Sequence, residues 1–419
     1  MSVSAIGAIL ALVIAIILIL KKVPPTYAMI IGAIIGGLVG GVGLFNTVTY
    51  MIDGTKNIVS AVIRIVVAGV LAGTLIESGA AARIAESIVE RLGSKNAILA
   101  MILATWALTA VGVFGDVAII TVSPIAIQIA QKVGYRKLGI LIAMIGGVKA
   151  GNVMSPNPNT IAAAETFKVP LTSMIAAGIP AAAAAIVITL IIAKRLSHHG
   201  TEVVAEHIVS RDEDLPGLVA SLSGPAATIL LLLGRPLFNV TIDPLIALPV
   251  GGLVGMIVMG KVKHIIHYLE FGLEKMSGVA MLLIGTGTLA GIIANSTLKV
   301  VIIDGLNSVG LPAFLLAPIS GILMGAASAS STAGTTLASQ VFGGTILSYG
   351  VGSLAAGAMV HSGSFVFDGL PHGSFFHVSA GTVNMQIKER LKLIPYEAFI
   401  GFCMVTTSTI LYGVIKILG

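Results

Sequence analysis

Long apolar runs, each near the length of a membrane-spanning helix, alternate with short polar segments along the whole chain. One helical span needs roughly 20 mostly apolar residues, and lipid requires the backbone to satisfy its own hydrogen bonds. The residue-by-residue alternation of a β-barrel is absent. The pattern therefore predicts an all-α polytopic membrane protein with about 10 spans, at residues 3–21, 26–46, 57–78, 138–165 (interrupted), 170–194, 216–238, 243–260, 276–297, 348–370 (interrupted) and 396–416.

Two further apolar segments, 96–131 and 311–346, are long and broken near their middle. Lysine and arginine concentrate in the cytoplasmic loops of membrane proteins. Of the 24 lysines and arginines, 17 fall on one side, five on the other and two within spans if the N-terminus lies outside and if each of these segments enters and leaves on the same side. We therefore predict two re-entrant helical hairpins, or about 12 spans if the hairpins cross, with both termini outside.

The two halves of the chain carry similar motifs in the same order. Gly36–Gly40 matches Gly251–Gly255, and Pro156 matches Pro371, with the broken segments aligned between them. This order predicts two inverted-topology repeats, the pattern of many secondary transporters. The repeats are 1–195 (with hairpin 96–131) and 216–419 (with hairpin 311–346), joined by a cytoplasmic linker at 196–215. A duplication retained for folding alone is the alternative.

Composition supports a lipid environment for most of the chain. Hydrophobic residues make up 56% and charged residues 10% of the sequence, whereas soluble domains average about 25% charged residues. The net charge of +6 is explained by loop lysines that orient the protein, so no nucleic-acid partner is expected. No phosphate loop, nucleophile triad or metal motif occurs. An ATP-driven pump is therefore disfavoured, no cofactor is expected, and the protein is predicted not to be an enzyme.

Polar side chains interrupt the first half at two places. The turn of the first hairpin contains Gly115, a predicted substrate contact, and Asp116, whose carboxylate is costly enough at membrane depth to suggest a cation- or proton-binding role. A helix-capping role for Asp116 is the alternative. The interrupted span 138–165 breaks at two prolines, and its amides and nearby lysine predict substrate contacts from Lys149, Asn152, Ser155, Asn157 and Asn159. The alternative for this break is an outer loop.

Two corresponding interruptions occur in the second half. Hydroxyl groups at the second hairpin turn suit a carboxylate or a polyol and predict substrate contacts from Ser328, Ser330, Ser331, Thr332 and Thr335, unless these small residues serve helix packing. The break in span 348–370 contributes Ser362 as a further substrate contact. It also contains His361, Asp368 and His372, which are predicted to take part in proton coupling; the last two, four residues apart, would form a proton relay. A zinc site or simple exposure to cytoplasmic water are the alternatives.

The chain resembles the gluconate permease (GntP) family of gluconate:proton symporters. The resemblance rests on LIESGAAARIAESIVERLG (75–93), GVFGDVAIITVSPIAIQIAQKVG (112–134), SPNPNTIAAAETFKVPL (155–171) and FDGLPHG (367–373). It implies the inverted repeats and re-entrant hairpins of the ion transporter superfamily, often with a homodimer and an elevator-like motion. It also implies proton-coupled uptake of sugar acids or hydroxy acids across a prokaryotic inner membrane. The family's binding region would fall on Asp116, 152–159, 328–336 and 368–372, and FDGLPHG is closer to branches for smaller hydroxy acids.

The sequence thus predicts a multi-pass inner-membrane transporter that couples a small organic anion to H⁺, or to Na⁺, by alternating access. A Na⁺/H⁺ antiporter of the same superfamily is the first rival, although intramembrane acids are scarce. A membrane-embedded enzyme or a non-transporting membrane subunit is the second. Transport assays on the purified protein separate these possibilities.

Overall fold

A computed structural model describes residues 2–203, 215–234, 240, 242–298, 300–301, 304 and 312–417. The described part is helical and contains no strand beyond two isolated bridges. The first half contains α1 (Ala5–Leu20), α2 (Pro25–Val39), α3 (Gly43–Lys56), α4 (Val59–Glu77), α5 (Ala80–Leu92), α6 (Ala97–Ala110), α7 (Gly115–Val133), α8 (Lys137–Asn152), α9 (Pro158–Thr166) and α10 (Leu171–Leu196). The second contains α11 (Leu218–Leu232), α12 (Pro244–Val258), α13 (Ile265–Ala294), α14 (Leu316–Ser328), α15 (Ser331–Ser348), α16 (Ser353–Gly363), α17 (Ser374–Thr382), α18 (Ile387–Arg390) and α19 (Ile394–Ser408).

Several of these helices are long and apolar enough to cross a bilayer. Five qualify by length and composition among the described residues, at Val59–Glu77, Gly115–Val133, Leu171–Leu196, Val262–Ala294 and Ile387–Val414. A sixth is added if Ala80–Leu92 and Ser94–Ala110, which bend by 101°, form one span. The protein is therefore a helical, multi-pass membrane protein. The total of about 10 spans and the inverted orientation of the halves stay predictions.

Two of the predicted spans have the wrong bounds. The segment 26–46 is not one helix, because Gly41 and Gly43 adopt positive φ angles of 87° and 73° and separate α2 from α3. Glycine is the residue that takes this conformation without steric cost. The span predicted at 276–297 begins earlier, since α13 starts at Ile265 and includes the charged residues Glu270, Glu274 and Lys275.

The four predicted interruptions are present in the structure. The first hairpin turns at 111–114 between α6 and α7, and the second turns at Ala329 and Ser330 between α14 and α15. Residues 331–336 were assigned to this turn but form the start of α15, because the Ser330 hydroxyl caps the helix by accepting from Ala333 N (3.3 Å). The breaks at 153–157 and 364–373 interrupt the other two segments. The second interrupted element ends at Thr382 and not at residue 370.

Helices α4 and α13, which come from different halves, touch backbone to backbone. A Cβ atom added to Gly69 would lie 2.7 Å from the carbonyl oxygen of Gly272, closer than side chains tolerate. Glycines allow such approach between membrane helices, where van der Waals packing drives association. Around this contact α1–α4 pack with α11–α13, while α6–α10 pack with α14–α19 and carry all four interruptions.

The predicted linker at 196–215 is described only in part, because residues 204–214 lie outside the described residues. Its described beginning packs against the second half. Glu389, close to the end of α18, accepts from Thr201 N (2.7 Å) and from Thr201 Oγ1 (2.8 Å).

Candidate functional site

The four interruptions meet at one cavity of about 200 Å³. The turn of each hairpin and the break of each interrupted segment contribute to its wall. The cavity brings together many of the predicted site residues: Gly115, Asp116, Lys149, Asn152, Asn157, Asn159, Ser330, Ser331, Thr332 and Asp368. Residues from both halves of the chain are therefore needed to build it.

A buried ion pair lies at the wall of this cavity. Lys149, on the last turn of α8, is 1% exposed, and Asp368, in the break before α17, is 8% exposed. The Lys149 ammonium donates to the Asp368 carboxylate and to the carbonyl oxygen of Phe365 (2.7 Å). Charges buried this deeply persist only when they are paired and hydrogen-bonded. The pair joins the two broken segments.

The predicted pairing of Asp368 with His372 is wrong. Spacing of four residues brings side chains together only on a helix, and residues 364–373 are not helical. The imidazole of His372 lies instead 3.3 Å from the carbonyl oxygen of Ala327. Asp368 instead accepts from the ammonium of Lys149, which is 219 residues away in the sequence.

The first break is built by Asn157. Its amide oxygen accepts from Thr160 N and Thr160 Oγ1, both at 3.1 Å, and so caps α9. Its amide nitrogen donates to the carbonyl oxygen (2.9 Å) and the side-chain oxygen (3.0 Å) of Asn152. Asn157 therefore lines the cavity but uses its polar atoms to hold α8 and α9 around the break.

Asn159 connects the first break to the second hairpin. Its amide oxygen accepts from Thr332 Oγ1 at 2.5 Å, and its amide nitrogen donates to Ser331 Oγ at 3.4 Å. The side chain is 2% exposed. These bonds place two hydroxyl groups and an amide on one wall of the cavity.

Four helices begin at the cavity, namely α7, α9, α15 and α17. Gly115, Pro158, Ser331 and Ser374 are their first residues and all line the cavity. Backbone N–H groups in the first turn of a helix lack helical partners, and the helix dipole places partial positive charge there. An anion bound in the cavity would therefore meet partial positive charge from several directions.

Asp116 is the second carboxylate that lines the cavity. It occupies the second position of α7, while Phe114 is the N-cap, so the predicted capping position is off by two residues. Its carboxylate accepts from the adjacent backbone N of Val117 at 2.9 Å. A carboxylate is favourable at this end of a helix because of the dipole.

The other predicted site residues lie away from the cavity wall and mostly serve local structure. Ser155 and Ser328 bond to backbone oxygens at 3.4 Å and 2.7 Å. Ser362 donates to Ala358 O at 2.8 Å, and Thr335 bonds to Ser364 Oγ at 2.7 Å. His361 is buried at 1% exposure, and its Nε2 has no hydrogen-bond partner among the described residues. No group of three or more potential metal-binding side chains occurs in the described part of the chain.

A model of the GntP family permeases matches residues 2–415. The chain belongs to the GntP permease family. The resemblance inferred from the four sequence segments is thereby confirmed, and the protein is a membrane transporter and not an enzyme.

Relatives agree with this family, and a solved structure has a similar fold. An uncharacterized transporter of Haemophilus influenzae is 57% identical over 416 residues, covering 99% of each chain. The high-affinity gluconate transporter of Escherichia coli is 29% identical over 149 residues, which is 35% of this chain and 33% of that protein. The YdaH transporter of Alcanivorax borkumensis has a TM-score of 0.61 at 16% identity, covering 89% of this permease and 90% of that chain. This last likeness shows the fold alone.

Several residues in and behind the cavity of this permease could not be predicted from the sequence. Phe114 and Phe375 line the cavity beside Gly115 and Ser374, but an aromatic residue next to a polar break carries no sequence signal of its own. The distribution of loop cations predicts that Arg390 lies in a cytoplasmic loop, yet it is 0% exposed and paired with Glu397. A basic residue in a short polar segment gives no sign of burial unless its partner is known.

Proposed function

We propose that this permease couples the uptake of a small hydroxylated monocarboxylate to protons. The observation that carries the proposal is the buried Lys149–Asp368 pair beside a cavity where four helices begin. Relatives named for gluconate support a substrate of the gluconate type. Hydroxy acids shorter than gluconate remain within the proposed class.

The cavity offers complementary groups for each part of such a substrate. The carboxylate is attracted by the N-termini of α7, α9, α15 and α17 and by the Lys149 ammonium. Substrate hydroxyls can bond to the amide of Asn159 and to the hydroxyls of Ser331 and Thr332. Phe114 and Phe375 offer apolar faces for the carbon chain.

Coupling follows from competition for Lys149. In the empty site the ammonium and the Asp368 carboxylate neutralise each other. When a substrate carboxylate binds Lys149, it displaces Asp368, whose buried carboxylate then takes a proton because an unpaired charge is costly there. With both ligands bound, Lys149, Asp368 and the substrate are together neutral again, whereas substrate alone or proton alone leaves these groups with one net charge. Only the empty and fully loaded sites cross the bilayer cheaply.

Alternating access completes the proposal. The helices that carry the interruptions, α6–α10 and α14–α19, would move as a body against α1–α4 and α11–α13. We propose that the halves are inverted repeats in the inner membrane, with both termini outside, and that the permease forms a homodimer as the family resemblance implies. Loop cations on one side support this orientation.

The test is uptake of labelled gluconate into proteoliposomes with an imposed pH gradient. Asp368→Asn removes the proton acceptor but leaves a site that is neutral with the anion bound. We expect this variant to exchange labelled for unlabelled gluconate without a response to the pH gradient, because its empty site keeps the unpaired Lys149 charge and returns slowly. Asp53→Asn, at an exposed pair with Lys56, is the matched control and should keep the response.

Other outcomes reassign or reject the proton role. If Asp116→Asn uncouples transport and Asp368→Asn does not, Asp116 is the proton site. If both variants retain full pH-driven uptake, neither carboxylate carries the proton and the coupling proposal is wrong. Sodium-dependent proton movement without gluconate uptake would indicate the antiporter instead.

A further inference from the structure

A second buried ion pair, Arg390–Glu397, lies behind the first. Arg390 is 0% and Glu397 2% exposed. The guanidinium holds both carboxylate oxygens, with Nη2 at 3.2 Å from Oε2, and its Nε donates to Ser379 Oγ at 3.0 Å. Its central carbon lies 4.7 Å from the ring centre of Phe376. The pair thereby ties α18 and α19 to α17, the helix that begins at the cavity.

This pair contacts the segment that carries Asp368. The backbone of Gly369 lies so close to the Glu397 carboxylate that an added Cβ would overlap it. On α19, the helix that carries Glu397, a Cβ on Gly401 would lie 2.5 Å from the Cα of Val366. Helix α19 therefore supports the 364–373 break on both sides of Asp368.

The charges of the two pairs also interact. Arg390 lies within electrostatic range of Asp368, and Lys149 and Asp368 lie within range of Glu397. In a protein interior such charges are poorly screened. The field at Asp368 therefore depends on whether the pair behind it is neutral.

Stability alone is a weak reason for this arrangement. A buried ion pair gains little over apolar residues of similar volume, because desolvation offsets the attraction between the charges. Ionisable residues inside a membrane protein usually mark a functional site. This neutral pair packs against Gly369, the residue next to the proposed proton acceptor, so it is placed to influence that acceptor.

We propose that the Arg390–Glu397 pair positions the Asp368 segment and sets the pH at which Asp368 takes up the coupling proton. The proposal rests on the proton role of Asp368 in the proposed function. Arg390 and Glu397 act through Asp368 and touch no substrate. The other charged groups near Asp368 are Lys149 from α8 and, across the cavity, Asp116 from α7. His372, on its own segment, is turned toward Ala327 O.

The deciding variant is Glu397→Gln. Arginine stays protonated at any relevant pH, so the variant leaves a permanent cation near Asp368 that favours its carboxylate form. The pH midpoint of gradient-driven gluconate uptake should fall by about one unit, which makes uptake about fivefold slower at the wild-type midpoint. The double variant Arg390→Gln/Glu397→Gln removes both charges and should return the midpoint close to the wild-type value.

Ser379→Ala is the matched packing control, because it removes a bond to Arg390 without changing any charge. Its midpoint should equal that of the wild type. An unmoved midpoint in Glu397→Gln, or the same displacement in the double variant, would overturn the proposal. If Glu397→Gln is not recovered as folded protein, Glu397→Asp takes its place, since the shorter side chain draws the carboxylate away from Arg390. It should lower the midpoint by a smaller amount, and an unmoved midpoint again overturns the proposal.

Failure here is distinguishable from failure of the proposed function. If Asp368→Asn retains its response to the pH gradient, the proton role of Asp368 itself is wrong. If Asp368→Asn is uncoupled and the Glu397→Gln midpoint stays in place, only the role of the second pair is wrong.

Discussion

At the scale of single residues, the site depends on which acceptors the two buried cations, Lys149 and Arg390, bind. Lys149 is almost inaccessible, and its ammonium is held by Asp368 and a carbonyl oxygen. An ammonium is a compact charge on a flexible stem, so it can change partner with a small movement. Arg390, in contrast, holds Glu397 with a rigid fork and is fixed further by Ser379. The movable cation faces the cavity and the fixed one lies behind it.

The role of Lys149 is tested by Lys149→Gln. Loss of a charge-assisted hydrogen bond is worth about 1.5–3 kcal/mol, so gluconate should bind about 10- to 100-fold more weakly. The fold should persist because Asp368 can become neutral by protonation. The measurement is the thermal stabilisation of the purified protein as gluconate is titrated.

Lys137→Gln is the control for this measurement. Lys137 is a half-buried cation at the opposite end of α8 from Lys149, and it donates to Asn384 O at 2.7 Å. Gluconate should stabilise this variant as it does the wild type. Equal stabilisation of the Lys149→Gln and Lys137→Gln proteins would show that Lys149 does not bind the anion.

At the scale of elements, helix ends account for most of the site. Asn157 caps α9, Ser330 caps α15, and both bring the first turn of their helix to the cavity. Each element is marked in the sequence by residues that cannot continue a helix, so these breaks could be predicted from local chemistry.

Contacts between distant elements could not be predicted in this way. The partner of Lys149 is 219 residues away, and the local spacing of Asp368 and His372 favoured a pairing that the structure does not contain. Arg390 likewise lies in a short polar segment whose sequence predicts a loop. Local sequence indicates where a helix stops, whereas tertiary packing decides which polar groups meet across the gap.

The glycine contact between α4 and α13 gives a prediction about elements. Gly272→Val would place its side chain 2.6 Å from the carbonyl carbon of Gly69, which forces the helices apart. We expect a loss of about 1–3 kcal/mol in stability, measured as a lower Tm of the purified protein. Gly278→Val on the same helix is the control, because a Cβ at Gly278 meets nothing within 4 Å. An equal Tm for both variants would argue against close packing at Gly272.

At the scale of the whole molecule, the two halves are joined outside the site as well as within it. Arg64 of α4 donates to both carboxylate oxygens of Asp243, at 2.9 Å and 2.6 Å, and pairs with Glu165 at 2.9 Å. Asp243 caps α12, and Glu165 lies at the end of α9. The cluster therefore links the helices around α13 to a helix that begins at the cavity, so relative movement of the two groups must break or shift it.

Two inverted halves of five predicted spans each place both termini on one side of the membrane, and the loop cations predict that this side is the outside. In a Cys403→Ser background, Ser2→Cys and Lys56→Cys should react with a membrane-impermeant maleimide on intact cells, because both positions are exposed and predicted outside. Lys95→Cys and Lys388→Cys, also exposed, should react only after permeabilisation because the cationic loops remain in the cytoplasm. Reaction of Ser2→Cys only after permeabilisation would contradict the predicted orientation of the first half. If Lys388→Cys still reacts only after permeabilisation, the two halves are then not inverted as proposed.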